Sequence, residues 1–208
     1  MRNHMRYIFL FFYILFLLKT EIISISAKEN RDRLDDFENS ILQEMNLLRM
    51  EPQKYLHILE KKKENSAKSF SDEKLAAIKE VISILKTVPP VQELSSSKGL
   101  VLAARDHAED LGETKKIGHL GSDHSNPFQR MNRYGKWKRI AGENIVFGKK
   151  NSMDLVIKLL IDEENPGRLR RRNLLNTDYH FCGIACHPYK TDTYICVITY
   201  AGGYISRE

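Results

Sequence analysis

The sequence predicts an α+β fold in which a small antiparallel sheet is covered by helices. Apolar residues recur at helical spacing in several segments of the first two thirds of the chain. A short apolar stretch, Asn144 to Phe147, then reads as a strand, and the chain ends in two alternating segments separated by a turn. Because helices and strands are grouped rather than alternating one by one, the pattern favours α+β over α/β.

The helices follow from their apolar stripes and their end signals. Leu34, Phe37, Ile41, Met45 and Leu48 predict the first helix, and Pro52 begins a short second helix that reaches Leu59. The polar stretch 61–70 predicts a mobile surface loop, after which Ser71 caps a third helix that stops before residues 89–90, both proline. Further helices are predicted over 98–111, 127–134 and 153–160.

The last two strands predict a disulfide bond. The segments 180–187 and 193–201 alternate and are rich in β-branched and aromatic residues, as strands are. A hairpin centred on Thr191 places Cys186 directly opposite Cys196, close enough to bridge, and places Cys182 opposite Tyr200 without a thiol partner. The alternative is that all three cysteines are reduced core residues.

The N-terminus predicts export. Arg2 and Arg6 precede an unbroken apolar run from Tyr7 to Leu18, and small residues near position 26 offer a cleavage site. Residues 1–26 are therefore interpreted as a signal peptide, and a permanent anchor is the alternative. Twelve helical residues span only about 18 Å of a ~30 Å hydrocarbon core, which favours cleavage. Nothing after residue 26 is apolar enough to span a membrane, so the mature protein is expected to be secreted.

Length and composition predict one folded domain over 27–208. The chain has 208 residues, of which 42% are hydrophobic and 29% charged, which excludes a disordered tail, a collagen-like repeat and a multi-span membrane protein. The net charge of +6 and the pI near 9.1 are only mildly basic. That balance gives weak support to acidic partners and none to nucleic-acid binding.

Residues capable of coordination or proton transfer collect in two loops. The first contains His119, Asp123 and His124, and the second contains Glu143 and Asn144. Taken alone they are a weak signal, because solvated loop residues beside a hydrogen-bonded carboxylate explain them equally well. No nucleophile motif accompanies them.

Two further groups have alternative readings. His107 lies on an apolar helical stripe and is expected to be buried and hydrogen-bonded rather than a ligand. The arginines at 168 and 170–172 are either a solvated helix end or an anion site.

Several motifs together resemble one known family. They are the segments 45–49 (MNLLR), 118–123 (GHLGSD), 141–145 (AGENI) and 171–176 (RRNLLN), in that order, with the strand that ends at Tyr200. In this combination the chain resembles the CAP superfamily of cysteine-rich secretory, antigen-5 and pathogenesis-related proteins, also called the SCP domain, and is closest to its simple bacterial-type members. The stretch of about 61–90 looks like an added helical insertion.

The resemblance implies an α-β-α sandwich with a central cleft. In the family that cleft is lined by two histidines and two acidic residues, which bind zinc or another divalent ion in some members. His119 and Glu143 match one histidine and one acidic residue, while Arg168 and Arg170 occupy the other two positions. Ser122, Asp123, Asn144 and Asn173 are the expected supporting residues.

Half of that tetrad is therefore replaced by arginine. A guanidinium group cannot ligate a metal and repels a dication nearby. We expect no zinc or other cofactor, with a metal held by His119 and Glu143 as the weak alternative. Arg170 is expected to pair with Glu143 and to make the cleft positive.

The resemblance implies a secreted, non-enzymatic binding protein. The expected partner is a lipid, a sterol or an acidic extracellular molecule bound in the central cleft, with no nucleic acid. The alternative is a peptidase-like hydrolase in which Glu143 is the general base and His119 its partner.

Overall fold

The structure is a computed structural model that describes residues 31–66 and 69–207. The chain divides into two units, 1–33 and 34–208, and the fold below is that of the second. The signal peptide expected at 1–26 lies outside the described residues. The elements in chain order are α1 (Asp36–Met50), α2 (Pro52–Ser66), α3 (Asp72–Leu85), β1 (Ser95–Ser96), α4 (Lys98–Thr114), α5 (Pro127–Tyr134), β2 (Gly135–Gly148), α6 (Ser152–Ile161), α7 (Leu169–Leu175), β3 (Phe181–Lys190) and β4 (Thr193–Ser206).

Polar caps define where most of the predicted helices begin. Asp35 accepts a hydrogen bond from the backbone N–H of Glu38, and the Glu38 side chain accepts one from the N–H of Asp35, which closes a capping box on α1. Ser71 caps α3 as expected, and Asn126 closes a second box on α5. Burial of apolar faces then packs the helices against the sheet or against one another.

The second helix is longer than predicted. Instead of ending at Leu59, α2 continues to Ser66. The surface loop expected over 61–70 is therefore wrong for residues 61–66. The run from Glu60 to Glu64 contains only glutamate and lysine, which are strong helix formers, so the helix extends without an apolar stripe.

The C-terminal hairpin has the predicted register. Cys186 lies opposite Cys196 and Cys182 opposite Tyr200. A Cys186–Cys196 disulfide joins the strands, and Cys182 is a buried free thiol. These predictions are confirmed.

The sheet contains four strands in the order β1-β3-β4-β2 within the described residues. β4 pairs antiparallel with both β3 and β2. β2 begins at Gly135 and is longer than the predicted strand, which covered Asn144 to Phe147. The two-residue β1 pairs parallel with β3, which makes the sheet mixed rather than purely antiparallel.

Helices cover both faces of this sheet, which confirms the α-β-α sandwich. Alternate residues of the hairpin point to opposite faces. Ile184 and Ile198 pack in one cluster with α1, α2, α3 and α6, whereas Ala185 and Val197 pack in another with α4. Gly183 allows the α4 contact, since a Cβ there would lie 2.1 Å from the backbone carbon of Leu100.

Candidate functional site

A glutamate and a histidine form the centre of the candidate site. Glu143 lies on β2 opposite Thr199, and its side chain is 1% exposed. His119 lies in the loop between α4 and α5 with a side chain that is 58% exposed. Its Nδ1 lies 2.8 Å from Oε1 of Glu143. Because a carboxylate can only accept, Nδ1 carries the proton, and the described residues offer no hydrogen-bond partner to Nε2.

A buried arginine donates a hydrogen bond to the other carboxylate oxygen of Glu143. Arg130 on α5 is 2% exposed and donates from Nη2 to Oε2 of Glu143 at 2.8 Å. It also donates to the backbone carbonyls of Ser125 and His119, at 2.7 and 3.1 Å. Arg130 therefore neutralises Glu143 and holds the loop that presents His119. Sequence reasoning missed it, because nothing local distinguishes it from Arg133, which stays at the surface.

His107 lies behind this pair. It is fully buried on α4, and its Nε2 is 2.8 Å from the carbonyl oxygen of Gly118, as expected for a buried, hydrogen-bonded histidine. Its Nδ1 has no hydrogen-bond partner among the described residues. Its Nε2 is 3.9 Å from Oε1 of Glu143, and its Nδ1 is 3.9 Å from Oδ2 of Asp110. Burial lowers the pKa of His107, an effect that Glu143 opposes and Arg130 reinforces.

The arginines at the other two tetrad positions do not join this centre. Arg170 pairs with Asp162 and Glu164, and Arg168 pairs with Glu80. The expected ion pair between Arg170 and Glu143 is therefore wrong.

The physical reason lies at the end of α6. Asp162 is fully buried there and accepts both the backbone N–H and Nε of Arg170, so its charge captures the nearest guanidinium group. The cleft consequently gains no free cation from Arg170.

Asparagines connect β2 to α7. Asn144 donates to the carbonyl oxygen of Arg170 at 2.9 Å and to the hydroxyl of Tyr200 at 3.1 Å. Asn173 donates to the side-chain oxygen of Asn144 at 2.9 Å. These bonds fix the backbone on one side of Glu143.

Ser122 and Asp123 order the loop on the other side. The Ser122 N–H donates to Asp110 at 2.9 Å, and Asp123 accepts from the Ser125 N–H at 2.9 Å and from Arg133. Hydrogen bonds from Ser125, reinforced by Arg133, hold the pKa of Asp123 well below its usual range.

The residues around Glu143 do not fit a zinc site. Zinc needs three or four protein ligands, and within the described ranges no group of three or more His, Cys, Asp or Glu side chains is arranged to hold a metal ion. His119 and Glu143 direct ligand atoms at each other, while Arg130 occupies the remaining carboxylate oxygen.

Exposed aliphatic side chains lie beside the centre. Leu120 follows His119 and is 64% exposed, and Leu169 precedes Arg170 and is 56% exposed. Ile117, in the same loop as Leu120, is 71% exposed. Leu120 adjoins His119, which bonds Glu143, and Leu169 adjoins Arg170, whose carbonyl oxygen accepts from Asn144.

This sandwich defines a class of protein, with a glutamate on the edge strand β2 bonded to a histidine from the loop between α4 and α5. Comparison with known families identifies that class. The model of the CAP family, the cysteine-rich secretory protein family, matches residues 89–200. The chain therefore belongs to the CAP family. The match begins after α3, so α1, α2 and α3 lie outside it.

Comparisons with individual proteins found remote similarities. An outer surface protein from Borrelia burgdorferi is 21% identical with a TM-score of 0.46, over 64% of this chain and 94% of that chain. An extracellular protein containing an SCP domain, from Bacillus anthracis str. Ames, is 17% identical with a TM-score of 0.40, over 53% of this chain. This chain spans only 34% of the length of the latter. No curated protein matches.

Among residues 31–66 and 69–207, no helix is both long and apolar enough to cross a bilayer.

Proposed function

We propose that this chain is an exported CAP-domain protein that acts as a binding module rather than as an enzyme. The observation that carries the proposal is the state of Glu143. Both of its oxygens are bonded, one to His119 and one to Arg130, and its side chain is 1% exposed. A general base needs an oxygen that can reach the substrate proton, and a metal ligand needs a free lone pair directed outward. Each oxygen keeps a second lone pair, but a side chain that is 1% exposed cannot present it to a substrate or a metal ion.

The ligand that best fits the cleft is amphipathic, such as a lipid or a sterol. Leu120 and Leu169 are exposed aliphatic residues next in sequence to His119 and Arg170, and His119 offers an exposed polar ring. Exposed apolar side chains beside a polar group suit a molecule with a large hydrocarbon body and a small polar end. An acidic ligand gains less here, because Arg130 and Arg170 are already paired with carboxylates.

Native mass spectrometry with lipid extraction tests this proposal. The purified chain should retain or capture a lipid or sterol, and Leu120→Asp/Leu169→Asp should lower its occupancy at least about ten-fold, because two charges then replace the exposed aliphatic side chains. Met50→Asp/Met153→Asp is the matched control, since both methionines are exposed on α1 and α6. Equal occupancy in the two double variants would refute binding at the cleft. The same spectra should show no zinc near 1:1 after dialysis.

One observation favours a hydrolase as the second candidate. With Nδ1 bonded to Glu143, His119 leaves Nε2 free, which is how a carboxylate orients a histidine general base. Glu143 would then be the orienting group, not the base expected from the sequence. Hydrolysis of a peptide or cell-wall substrate that is abolished in His119→Ala, and strongly reduced in Glu143→Gln, would favour this candidate over the binding module.

A further inference from the structure

A cavity of about 280 Å³, which we call the α6 pocket, is lined by one face of α6. That helix contributes Asp154, Ile157, Lys158 and Ile161, which follow the spacing of a single helical face. The other described lining residues come from α2, from α3 and from the segment between α6 and α7 with the start of α7: Lys62, Lys74, Glu163, Glu164 and Arg170. His119 and Glu143 are not among the described lining residues, so the α6 pocket is separate from the candidate site.

The α6 pocket combines charges of both signs with an apolar surface. Its described lining contains four basic side chains, three carboxylates and two isoleucines. Most of the charges pair with one another: Lys74 lies 2.9 Å from Glu163, and Arg170 lies 3.3 Å from Glu164. The charges therefore nearly cancel within the lining, which does not favour a ligand with a charge of one sign only.

Two groups of opposite sign keep unused hydrogen-bonding capacity. The ammonium group of Lys158 donates to the carbonyl oxygen of Phe147 at 3.3 Å and has no carboxylate partner among the described residues. Oε1 of Glu163 accepts from Lys74, whereas its Oε2 is buried and has no hydrogen-bond partner in the described part of the chain. An ammonium group has three N–H donors, and an unpartnered buried acceptor costs free energy. One cation and one carboxylate in the same lining can therefore each bind a further group.

We propose that the α6 pocket binds a free α-amino acid with a branched aliphatic side chain, such as leucine. Its α-carboxylate accepts from the ammonium group of Lys158, and its α-ammonium group donates to the carboxylate of Glu163. Its aliphatic side chain packs against Ile157 and Ile161. The cavity is slightly smaller than the roughly 300–1,000 Å³ of pockets for drug-sized ligands, which suits a molecule of this size. The site is independent of the cleft and of the function proposed for it.

The same lining disfavours other classes of small molecule. A fatty acid or a phosphate brings its anion close to Asp154, Glu163 and Glu164, and an amine without a carboxylate brings its cation close to four basic side chains. An uncharged hydrocarbon removes water from these ions without replacing the hydrogen bonds. A zwitterion gives each of its charges a partner of opposite sign.

Isothermal titration calorimetry with leucine and three truncated analogues tests the proposal on the natural chain. Leucine should bind saturably, one molecule per chain. The analogues are 4-methylpentanoate, which lacks the ammonium group, 3-methylbutylamine, which lacks the carboxylate, and glycine, which lacks the aliphatic side chain. Each should bind at least about ten-fold more weakly than leucine, because each loses one of the three contacts.

Two substitutions assign each ligand charge to its partner. Lys158→Met should weaken leucine binding at least about ten-fold without weakening that of 3-methylbutylamine, which has no carboxylate to lose. Glu163→Gln should weaken leucine binding to a similar extent without weakening that of 4-methylpentanoate. Lys79→Met and Glu93→Gln are the matched controls at exposed positions outside the pocket lining, and both should bind leucine as the natural chain does. Thermal unfolding of the four variants serves as the check on folding.

Three outcomes would overturn the proposal. If leucine does not bind, or if an analogue binds as tightly as leucine, the pocket does not select an aliphatic zwitterion. If Lys158→Met weakens 3-methylbutylamine binding as much as leucine binding, Lys158 is not the partner of the carboxylate. Tighter binding of phosphocholine, which is also a zwitterion, would assign the pocket to a lipid headgroup. None of these outcomes bears on lipid binding at the cleft, which has its own test.

Discussion

At the scale of single residues, the candidate site depends on one buried charge pair. Arg130 and Glu143 are 2% and 1% exposed in their side chains, and each is the other's charge partner. A buried ion pair contributes little net stability compared with apolar residues of the same size. Removing one partner is nevertheless strongly destabilising, because the other charge is then buried without a counter-charge. The pair therefore makes the loop around His119 sensitive to any substitution at either position.

Arg130→Met should lower the free energy of unfolding by about 3–5 kcal/mol, because Glu143 is then buried without its cation. Adding Glu143→Gln should restore part of that loss, since the neutral amide costs less to bury. Arg133→Met is the control on the same helix. Its side chain is 39% exposed and its partners Asp106 and Asp123 are 20% and 53% exposed, so the expected cost is below about 1 kcal/mol. Urea denaturation measures these proteins together with Glu143→Gln alone, and a loss in the double variant equal to the sum of the two single losses would contradict a direct pair.

His107 should make the fold sensitive to acid. Burial lowers its pKa, so the folded chain keeps it neutral while the unfolded chain binds a proton below about pH 6.5. Stability from this residue is thus lost as pH falls below that value. The stability difference between the natural chain and His107→Gln should shrink between pH 7.5 and 5.5, measured by urea unfolding. His57→Gln, at an 82% exposed side chain, should show no such trend.

At the scale of elements, the substituted tetrad position Arg168 and the nearby Arg171 have a structural role. Arg168, just before α7, and Arg171, on α7, donate to the two carboxylate oxygens of Glu80 on α3, at 3.1 and 2.8 Å. Arg171 also donates to the carbonyl oxygens of Leu160 and Ile161 at the end of α6. The two arginines therefore connect α3, which lies outside the residues that match the family model, to α6 and α7, which lie within them.

Glu80→Gln should weaken this connection between α3 and α7. Burial raises the pKa of Glu80, but hydrogen bonds and charge from Arg168 and Arg171 outweigh burial and hold that pKa below its usual range. The contribution of Glu80 to stability is therefore present at neutral pH and is lost as the pH falls below about 4. We expect a loss of about 1 kcal/mol at pH 7, because Glu80 is 44% exposed and its ion pairs are partly screened. The loss should shrink as the pH falls below about 4. Glu93→Gln, an exposed residue, is the control, and an equal effect there would contradict this connection.

Local patterns were sufficient to predict most elements. The hairpin register followed from alternation and one turn, which placed Cys186 opposite Cys196. The extension of α2 to Ser66 was missed because a helix without an apolar stripe leaves only propensity to detect it. The parallel β1–β3 pairing was also missed, because two residues carry no periodicity.

The site was harder to predict than the fold, for a physical reason. Motif spacing identified His119 and Glu143 as candidates, and the structure places them in contact. Motif spacing could not show which of several arginines pairs with Glu143, since charge alone does not distinguish Arg130 from Arg170. That choice is made by tertiary packing, where the buried Asp162 captures Arg170 and leaves Glu143 to Arg130.

At the scale of the whole molecule, Cys182 reports on the integrity of the sandwich. It is fully buried between the sheet and the helices of the largest core cluster, and burial raises the pKa of its thiol to about 12, against a small opposing effect of Arg49. The thiolate is the reactive form, so the native thiol is both inaccessible and protonated at neutral pH. The other two cysteines are held in the disulfide.

Labelling of Cys182 by a thiol reagent under non-reducing conditions should therefore follow the unfolding equilibrium. When reclosing is faster than labelling, the rate tracks the population of open molecules, so each ~1.4 kcal/mol of lost stability gives about ten-fold faster labelling. Arg130→Met should then label at least a hundred-fold faster than the natural chain, and Arg133→Met less than about ten-fold faster. If the natural chain labels rapidly in the absence of denaturant, or if the two variants label at the same rate, Cys182 is reached through a local opening of β3. The sandwich would then not unfold as one cooperative unit.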